Sequence, residues 1–301
     1  MNIIPQTQNT SRQLEQLAAQ RQLYSDAKLL QLISIVISVP LAILASILVA
    51  IFPKMAAFAG LYGVIATLLD TLVFSRLQKS IQEKAAKVQQ LFDYEVLQFD
   101  CSRLNCRISV EPETIADASS RFRRKNTTYS TLQNWYPIDV GKLPLYQARI
   151  ICQRSNVWWD SQLRRRYYNW LLIVLIALTV VVLLIGLIGD LTLEKFVLAI
   201  IVPLTPAFIF GLRQYAEHKE AATRLDKLKE NAENLLQEVS KGISTVQDIE
   251  TESYSMQSQI YDNRRLNPLI FDWLYSWLKR KDEENMNKGA ETLIQELGQI
   301  P

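Results

Sequence analysis

The chain has 301 residues, of which 33 are Lys or Arg and 30 are Asp or Glu, and 49% are hydrophobic although the mean hydropathy is only +0.03. Very apolar stretches must therefore alternate with very polar ones, which excludes a wholly soluble protein. Three cysteines are too few for a disulfide-stapled secreted domain, and nine glycines and one histidine leave little room for glycine-rich phosphate loops or histidine-ligated metal sites.

Two apolar blocks, residues 29–74 and 168–212, each far exceed the ~20 residues that cross a bilayer. Pro53 and Lys54 divide the first block, and the stretch 186–195 divides the second. The sequence therefore predicts an all-α integral membrane protein with two transmembrane helical hairpins, cytoplasmic helical extensions and a long heptad-patterned C-terminal helix. The four predicted spans cover residues 29–52, 55–74, 169–188 and 196–212.

This interpretation divides the chain into an N-terminal cytoplasmic helix, the first hairpin, a basic cytoplasmic middle region, the second hairpin and a cytoplasmic helical tail. The predicted bounds of these segments are 1–28, 29–75, 76–168, 169–212 and 213–301. Of the 33 basic residues, only Lys54 and Lys195 lie at the hairpin tips. The positive-inside rule therefore places both termini and the middle region in the cytoplasm.

Small and polar side chains share one face of the second span, because they recur at steps of three and four. They are Gly60, Gly63, Thr67 and Asp70, and the first span has a matching face with Ser34 and Ser38. One interpretation is close helix packing, with Asp70 hydrogen-bonded to Ser34. The other is an ion or proton path, because an unpaired acid at this depth costs ~2.5–3.5 kcal/mol. In the fourth span, Pro203 and Pro206 each remove a backbone donor, which predicts a kink.

The cytoplasmic regions differ in charge: residues 76–168 carry 16 basic and 9 acidic residues (net +7), and residues 213–301 carry 12 and 16 (net −4). A basic region beside a membrane indicates binding of anionic lipid or of an anionic ligand, and solvated helix faces are the structural alternative. In the tail, the pattern predicts a heptad seam about 54 Å long on one continuous helix, which either pairs with another copy or packs on other cytoplasmic helices. The seam consists of Leu225, Leu228, Ala232, Leu235, Val239, Gly242, Val246, Ile249, Ser253, Met256 and Ile260.

The sequence contains no catalytic constellation. Cys101 and Cys106 are five positions apart with no histidine nearby, which does not match a zinc site. There is no phosphate loop, metalloprotease pair or nucleophile elbow. Neither an enzyme nor a bound metal or cofactor is therefore predicted.

Four stretches outside the spans carry recognisable motifs. They are Gln8-Asn9-Thr10 with the run 17–24, then Leu91-Phe92-Asp93, then Asn134-Trp135-Tyr136-Pro137 with the stretch 148–167, and finally the stretch 259–268 with Asp272-Trp273. In their combination and order, over nearly the whole chain, the sequence resembles the SMODS-associated four-transmembrane effector family of bacterial CBASS anti-phage systems.

This resemblance implies a toxin-like effector of the bacterial inner membrane. A partner nucleotidyltransferase senses infection and makes a cyclic oligonucleotide, the cytoplasmic part of the effector binds it, and the spans then permeabilise the membrane. The implied partners are this ligand, the nucleotidyltransferase, inner-membrane lipid and, as a homo-oligomer, further copies of the chain; no DNA or RNA duplex is expected. The alternatives are a membrane scaffold that assembles partners through its tail, or a small ion channel gated by another signal.

A cyclic oligonucleotide offers phosphates and flat bases, so its site needs guanidinium groups beside aromatic rings. Two cytoplasmic stretches combine both. One contains Trp135, Tyr136, Arg149, Arg154, Trp158 and Trp159, and the other contains Tyr261, Arg264 and Arg265. Within the first stretch, Arg149 and Arg154 are the favoured phosphate contacts. The alternative is that the tryptophans anchor the third span at the membrane interface and the arginines only set its topology.

Overall fold

The computed structural model describes residues 2–100, 110–189 and 192–298. The described residues are 87% helical and include no strand, which confirms the predicted all-α class. The α-helices of the described ranges are α1 Ile4–Thr7, α2 Ser11–Ser38, α3 Pro40–Ile51, α4 Ala56–Leu69, α5 Ser75–Val96, α6 Pro112–Lys125, α7 Leu145–Ile188, α8 Leu193–Phe196, α9 Val202–Ser240, α10 Val246–Leu266 and α11 Asp272–Gly298.

The helices form two compact units. One, called here the polar unit, contains Met1–Asp26, Ser80–Leu163 and Ala221–Pro301. The other, called the apolar unit, contains Ala27–Lys79 and Arg164–Glu220. The apolar unit therefore holds the residues of all four predicted spans.

Three helical stretches in the described ranges are long and apolar enough to cross a membrane: Ser11–Val49, Ala56–Val96 and Leu145–Ile188. They contain nearly all of the first three predicted spans. The fourth predicted span, residues 196–212, is divided among α8, a π-helical turn and α9. The chain is a membrane protein, as its apolar blocks predict.

The first hairpin has the predicted register at the level of Asp70. The Ser34 hydroxyl donates a hydrogen bond to the Asp70 carboxylate, at the first residue of a π-helical turn. The Tyr62 hydroxyl donates to the Ile37 carbonyl at 2.5 Å, beside the break between α2 and α3. Together with the buried Ala66, these contacts place Tyr62 and Asp70 on the face of the second span that packs within the hairpin.

The small-residue packing predicted for this hairpin is not found at Gly60 and Gly63. A Cβ atom built on either glycine meets nothing within 4 Å. Thr67 is exposed, and its hydroxyl donates to the Gly63 carbonyl of its own helix at 2.8 Å. Each of these residues follows a contact-face position by one, and is therefore turned about 100° away from the partner helix. The face formed by Gly60, Gly63 and Thr67, called here the open stripe, is left without a packing partner in the described chain, and Ser38 on the first span is half-buried.

The second hairpin is irregular where the prolines predict a kink. The π-helical turn Val197–Ile201 ends two residues before Pro203. The Thr205 hydroxyl donates to the Ile201 carbonyl at 2.9 Å, and Pro206 lies inside α9. A side-chain hydroxyl thus supplies a donor beside the two positions where the backbone lacks one.

The predicted single continuous helix of the tail is wrong, because α9 ends at Ser240 and Gly242 caps it. This glycine has a φ of +63°, and the Ile243 amide donates to the Glu238 carbonyl at 3.0 Å, which is the pattern of a Schellman C-cap. Thr245 and Asp248 then form a capping box that begins α10. The tail is therefore interrupted by a five-residue loop between α9 and α10.

The two halves of the seam fold back on each other. Arg224 of α9 donates to Asn267, just beyond α10, at 2.9 Å, which requires the two helices to run antiparallel. Seam residues of both helices, such as Leu228 and Ile260, are buried in the same hydrophobic core. The seam thus packs within one chain, as the second of its two interpretations predicts.

Candidate functional site

The centre of the polar unit is a buried carboxylate, Asp93, near the C-terminus of α5. Its side chain is 0% exposed. Its Oδ1 accepts a hydrogen bond from the Tyr136 hydroxyl at 2.6 Å, and its Oδ2 accepts from Gln257 Nε2 at 2.8 Å and Arg264 Nη1 at 2.5 Å. Asn156 Nδ2 in turn donates to the Tyr136 hydroxyl at 2.9 Å. Four segments of the chain therefore meet at one buried charge that is both paired and hydrogen-bonded.

Glutamine side chains extend this network between α5, α7 and α10. Gln257 also donates to Gln90 at 2.9 Å. Gln153 donates to Gln257 Oε1 at 3.1 Å and to the Ser253 carbonyl at 2.8 Å, and the Ser253 hydroxyl returns a bond to Gln153 at 2.8 Å. All four residues are buried. Because each broken bond would leave a buried polar group unpaired, the network favours one arrangement of these helices.

The sequence interpretation did not identify Asp93 and its glutamine partners as a centre. Asp93, Gln153 and Asn156 lie within the motifs of the family resemblance, but nothing in their spacing brings them together. One local signal was available, since Ser253 places a hydroxyl in an otherwise apolar seam. That position is one of the points at which α10 joins the network.

Side-chain amides bind the N-terminal segment to the loop after α6. Gln8 Nε2 donates to the Tyr136 carbonyl at 3.1 Å, and the Tyr136 amide donates to Gln8 Oε1 at 2.7 Å. The Asn134 amide donates to Asn9 Oδ1 at 3.0 Å, and Asn9 Nδ2 donates to the Asn134 side-chain oxygen at 2.8 Å. Tyr136 is therefore held by its backbone at Gln8 and by its hydroxyl at Asp93.

Arg149, a favoured phosphate contact, caps the C-terminus of α5. Its Nε donates to the Leu97 carbonyl at 2.7 Å, and its Nη2 donates to the Gln98 carbonyl. The guanidinium carbon lies 4.8 Å from the centroid of the Phe99 ring, and Nη1 lies 3.4 Å from Glu250. The side chain is 4% exposed. These contacts occupy the donors that a phosphate would need, and they place a cation where helix carbonyls concentrate negative charge.

Arg154, the other favoured contact, is paired but partly accessible. Its Nε and Nη2 both donate to Glu233 Oε1, at 3.1 Å and 2.8 Å. The Arg154 side chain is 14% exposed and that of Glu233 34%. Trp158 follows one turn later on α7 and is half-buried. Within the first predicted stretch, Arg154 and Trp158 are therefore the residues that combine an accessible guanidinium group with an aromatic ring one helical turn away.

The second predicted stretch is divided between the core and the surface. Arg264 belongs to the buried network, whereas Arg265 is 40% exposed and donates to Asp262 at 2.9 Å. The Arg265 guanidinium carbon lies 5.7 Å from the centroid of the Tyr261 ring. Burial raises the pKa of Tyr261, and nearby Lys87 offsets part of this increase. This surface therefore carries a stacked guanidinium group and a second cation.

The remaining aromatic residues of the first stretch do not form one site. Trp135 packs edge-on against Phe92, with ring centroids 6.4 Å apart, and Tyr136 stacks on the same phenyl ring at 6.2 Å. Trp158 and Trp159 are half-buried on α7. Trp135 and Tyr136 therefore belong to the core of the polar unit.

Burial and charge keep the donors of the Asp93 network protonated. Burial raises the pKa of Tyr136 well above its usual value, and the Asp93 charge raises it further. Burial works against the charge of Arg264, but Asp93 and Tyr136 more than offset it, so that the pKa of Arg264 is raised. At physiological pH the network therefore contains a neutral tyrosine donor and a charged guanidinium group.

In the apolar unit, His218 forms a buried polar contact with α7. Its ring is 0% exposed, its Nδ1 lies 3.2 Å from Arg164 Nη1, and its centroid lies 4.3 Å from that of Tyr167. Because an arginine only donates, Nδ1 accepts and the ring proton lies on Nε2. Burial lowers the pKa of His218 well below its usual value, and the Arg164 charge lowers it further, so the ring is neutral at pH 7.

No group of three or more His, Cys, Asp or Glu residues in the described ranges is arranged to hold a metal ion. Cys101 and Cys106 lie outside the described residues. Cys152 is a free, buried thiol. The described chemistry is therefore that of hydrogen bonds, ion pairs and aromatic faces.

Comparison with known protein families matches residues 2–293 to the SMODS-associating 4TM effector domain. A curated relative from Bacillus cereus strain VD146, a probable CBASS effector molecule, is 25% identical over 286 residues, which cover 93% of this chain and 94% of the relative. No solved structure matches the chain. Since the family match spans nearly the whole sequence, the chain belongs to the family of SMODS-associating 4TM effectors, as its motifs predict.

Proposed function

We propose that this chain is an anti-phage effector that permeabilises the bacterial inner membrane when a cyclic oligonucleotide binds its polar unit. The observation that carries the proposal is the family match over residues 2–293, in a chain that combines an apolar unit with a hydrogen-bonded polar unit. A relative of almost the same length is described as a probable CBASS effector molecule, which supports the anti-phage role. The chain acts without catalysis of its own.

The partners and the topology follow from this role. A nucleotidyltransferase of the same defence system makes the ligand, and the polar unit meets it in the cytoplasm. Both termini and the middle region lie on that side, because 31 of the 33 basic residues lie outside the hairpin tips. The basic middle region then attracts an anionic ligand.

Permeabilisation requires several copies of the chain, because few residues of its spans are buried within one copy. In the most apolar 18-residue part of each, the buried share is 0%, 6% and 11% for the first, second and third. The open stripe lets a helix of another copy approach closely, since Gly60 and Gly63 carry no side chain. Thr67, on this stripe, then supplies a polar group to a water path, and Asp70 joins the path when its hydrogen bond to Ser34 opens. The irregular turn before Pro203 supplies a deformable point.

For the ligand, the partly accessible groups are the proposed contacts. Arg154 and Trp158 offer a guanidinium group and a ring on α7, and Arg265 with Tyr261 offers the same combination on α10. Arg149, Arg264 and Tyr136 affect ligand binding only indirectly, because their contacts stabilise the fold of the polar unit.

Reconstitution of the purified full chain in dye-filled phospholipid vesicles tests this function. A panel of cyclic di- and trinucleotides is expected to include at least one that releases the dye, while the corresponding linear nucleotides do not. Gly60→Leu is expected to block release by filling the open stripe, whereas the control Phe58→Leu, at an exposed position on the opposite side of the same helix, leaves release unchanged. Intact vesicles with every cyclic nucleotide, in the presence of inserted protein, would reject the proposal.

Expression in bacteria provides a second test. Membrane depolarisation is expected only when the chain and an active nucleotidyltransferase of its defence system are expressed together. Equal viability with and without the nucleotidyltransferase would favour a constitutive scaffold.

A further inference from the structure

One carboxylate on the surface of the polar unit lies between two cations. Glu233 of α9 accepts both of its Arg154 hydrogen bonds on Oε1, and its Oε2 lies 3.9 Å from Lys229 Nζ. The third guanidinium nitrogen, Arg154 Nη1, makes no hydrogen bond to the described residues. A Cβ atom built on Gly289 of α11 would lie 3.6 Å from this nitrogen, so the backbone of α11 passes close to it.

The ion pair is incomplete as well as accessible. Two guanidinium nitrogens share one carboxylate oxygen, whereas a fork-to-fork pair engages both oxygens and is stronger. Arg154 and Glu233 both retain exposed surface, where water and other anions compete with such a pair. By contrast, Arg149 is bound to two backbone carbonyls and Arg264 to a fully buried carboxylate. Of these three arginines, Arg154 is the one whose partner an incoming anion can replace.

A phosphate group fits the same position better than the carboxylate does. It carries more acceptor oxygens and more negative charge, and it can engage Arg154 Nη1 and Lys229 in addition to the two nitrogens that now bind Glu233. Trp158 lies one turn further along α7 and is half-buried, which offers a ring face for a base attached to that phosphate. A glycine at position 289 keeps a side chain away from Arg154 Nη1.

We infer that Glu233 is an internal competitor for an anionic ligand: its carboxylate occupies Arg154 and Lys229 at rest, and a phosphate of the ligand displaces it. This inference rests on the proposed function, which makes the phosphate part of a soluble cyclic nucleotide. The same chemistry is present in an anionic lipid headgroup, so the test includes both sources.

The test is the affinity of the purified full chain, in neutral detergent at fixed salt, for inorganic triphosphate, measured by titration calorimetry. Glu233→Gln is expected to bind triphosphate about tenfold more tightly, because it removes both a competitor and its repulsion of the anion. Arg154→Gln is expected to lose this binding, and the double variant to behave like Arg154→Gln. The matched control Glu250→Gln removes the carboxylate beside Arg149 and leaves the affinity unchanged.

Unchanged affinity of Glu233→Gln, or a gain that persists in the double variant, would overturn the inference. If Glu233→Gln does not fold, Glu233→Asp is the second variant; its shorter side chain loosens the pair and is expected to give a smaller gain in affinity. Parallel titrations use the panel of cyclic nucleotides and micelles of a short-chain phosphatidylglycerol. If Glu233→Gln gains affinity only for the lipid, the assignment of a soluble ligand is overturned. Dye release from vesicles is a separate measurement. If Glu233→Gln gains triphosphate affinity but no cyclic nucleotide releases the dye, only the proposed function is rejected. If a cyclic nucleotide releases the dye but Glu233→Gln gains no affinity, only the role of Glu233 as a competitor is rejected.

Discussion

The substitution Arg264→Gln is expected to destabilise the polar unit by about 3 kcal/mol. It removes the cation that lies 2.5 Å from Asp93, in a pair whose side chains are 11% and 0% exposed. Breaking a buried ion pair from one side costs ~3–5 kcal/mol, because the remaining charge stays buried without its partner. Tyr136 and Gln257 continue to donate to Asp93, which places the expected cost at the lower end of this range.

Hydrogen exchange of the α5 and α10 amides, followed by mass spectrometry of the full chain in detergent, measures this cost as a change in the free energy of opening. The matched control is Arg265→Gln, the next residue along α10. Its side chain is 40% exposed and pairs with Asp262, so we expect a change within about 0.5 kcal/mol.

The double variant Asp93→Asn with Arg264→Gln separates the charge from the packing. It removes both charges, so no uncompensated carboxylate is left, and we expect it to be more stable than Arg264→Gln alone. An Arg264→Gln protein whose amides are as well protected as those of Arg265→Gln would refute the assignment of Asp93 as the centre of the unit.

Three further predictions concern helix ends and a buried histidine. Gln98→Gly is expected to raise the free energy of unfolding by about 0.5–1 kcal/mol, because Gln98 has a φ of +56° that glycine adopts without strain. Hydrogen exchange of the α5 amides measures this change, and a loss of stability would contradict the role of Gln98 in the C-terminal cap of α5. Gly242→Ala is expected to destabilise the turn after α9 by about 1 kcal/mol, because alanine is strained at the positive φ of Gly242. Unchanged hydrogen exchange of the amides at the end of α9 would contradict this prediction. Since the pKa of His218 is lowered in the folded state, the unfolded chain binds the extra proton first, and stability is expected to fall as the pH decreases through about 6.5. His218→Gln should flatten this dependence of the thermal midpoint between pH 8 and 5, whereas the same slope in both proteins would show that another group causes it.

The spans and their approximate bounds could be predicted from local sequence. An apolar stretch longer than a bilayer has no other stable environment, so length and composition suffice to identify it. The pairing of Ser34 with Asp70 also followed, because the short tip of a hairpin determines which residues lie at the same level. The face on which the two helices pack could not be predicted. The hydrogen bond from the Tyr62 hydroxyl to the Ile37 carbonyl turns the open stripe of small residues away from the partner helix.

The tail shows the limit of periodicity. A seam with steps of three and four is the same whether one long helix pairs with a partner or two shorter helices fold back on each other. The local stop signals, Gly242 and the Thr245 to Asp248 capping box, were present in the sequence and decided between these two structures. Their effect outweighed the heptad pattern, because folding back buries the same apolar residues within one chain.

The role of each arginine was decided by the tertiary structure. The sequence by itself determined that the protein spans a membrane, that its polar regions are helical and basic in the middle, and which family its motifs resemble. It did not determine that Arg264 binds Asp93, 171 positions away, or that Arg154 binds Glu233, 79 positions away. A guanidinium group is an equally good donor to a carbonyl, a carboxylate or a phosphate, so its use depends on which acceptor the fold brings within about 3 Å.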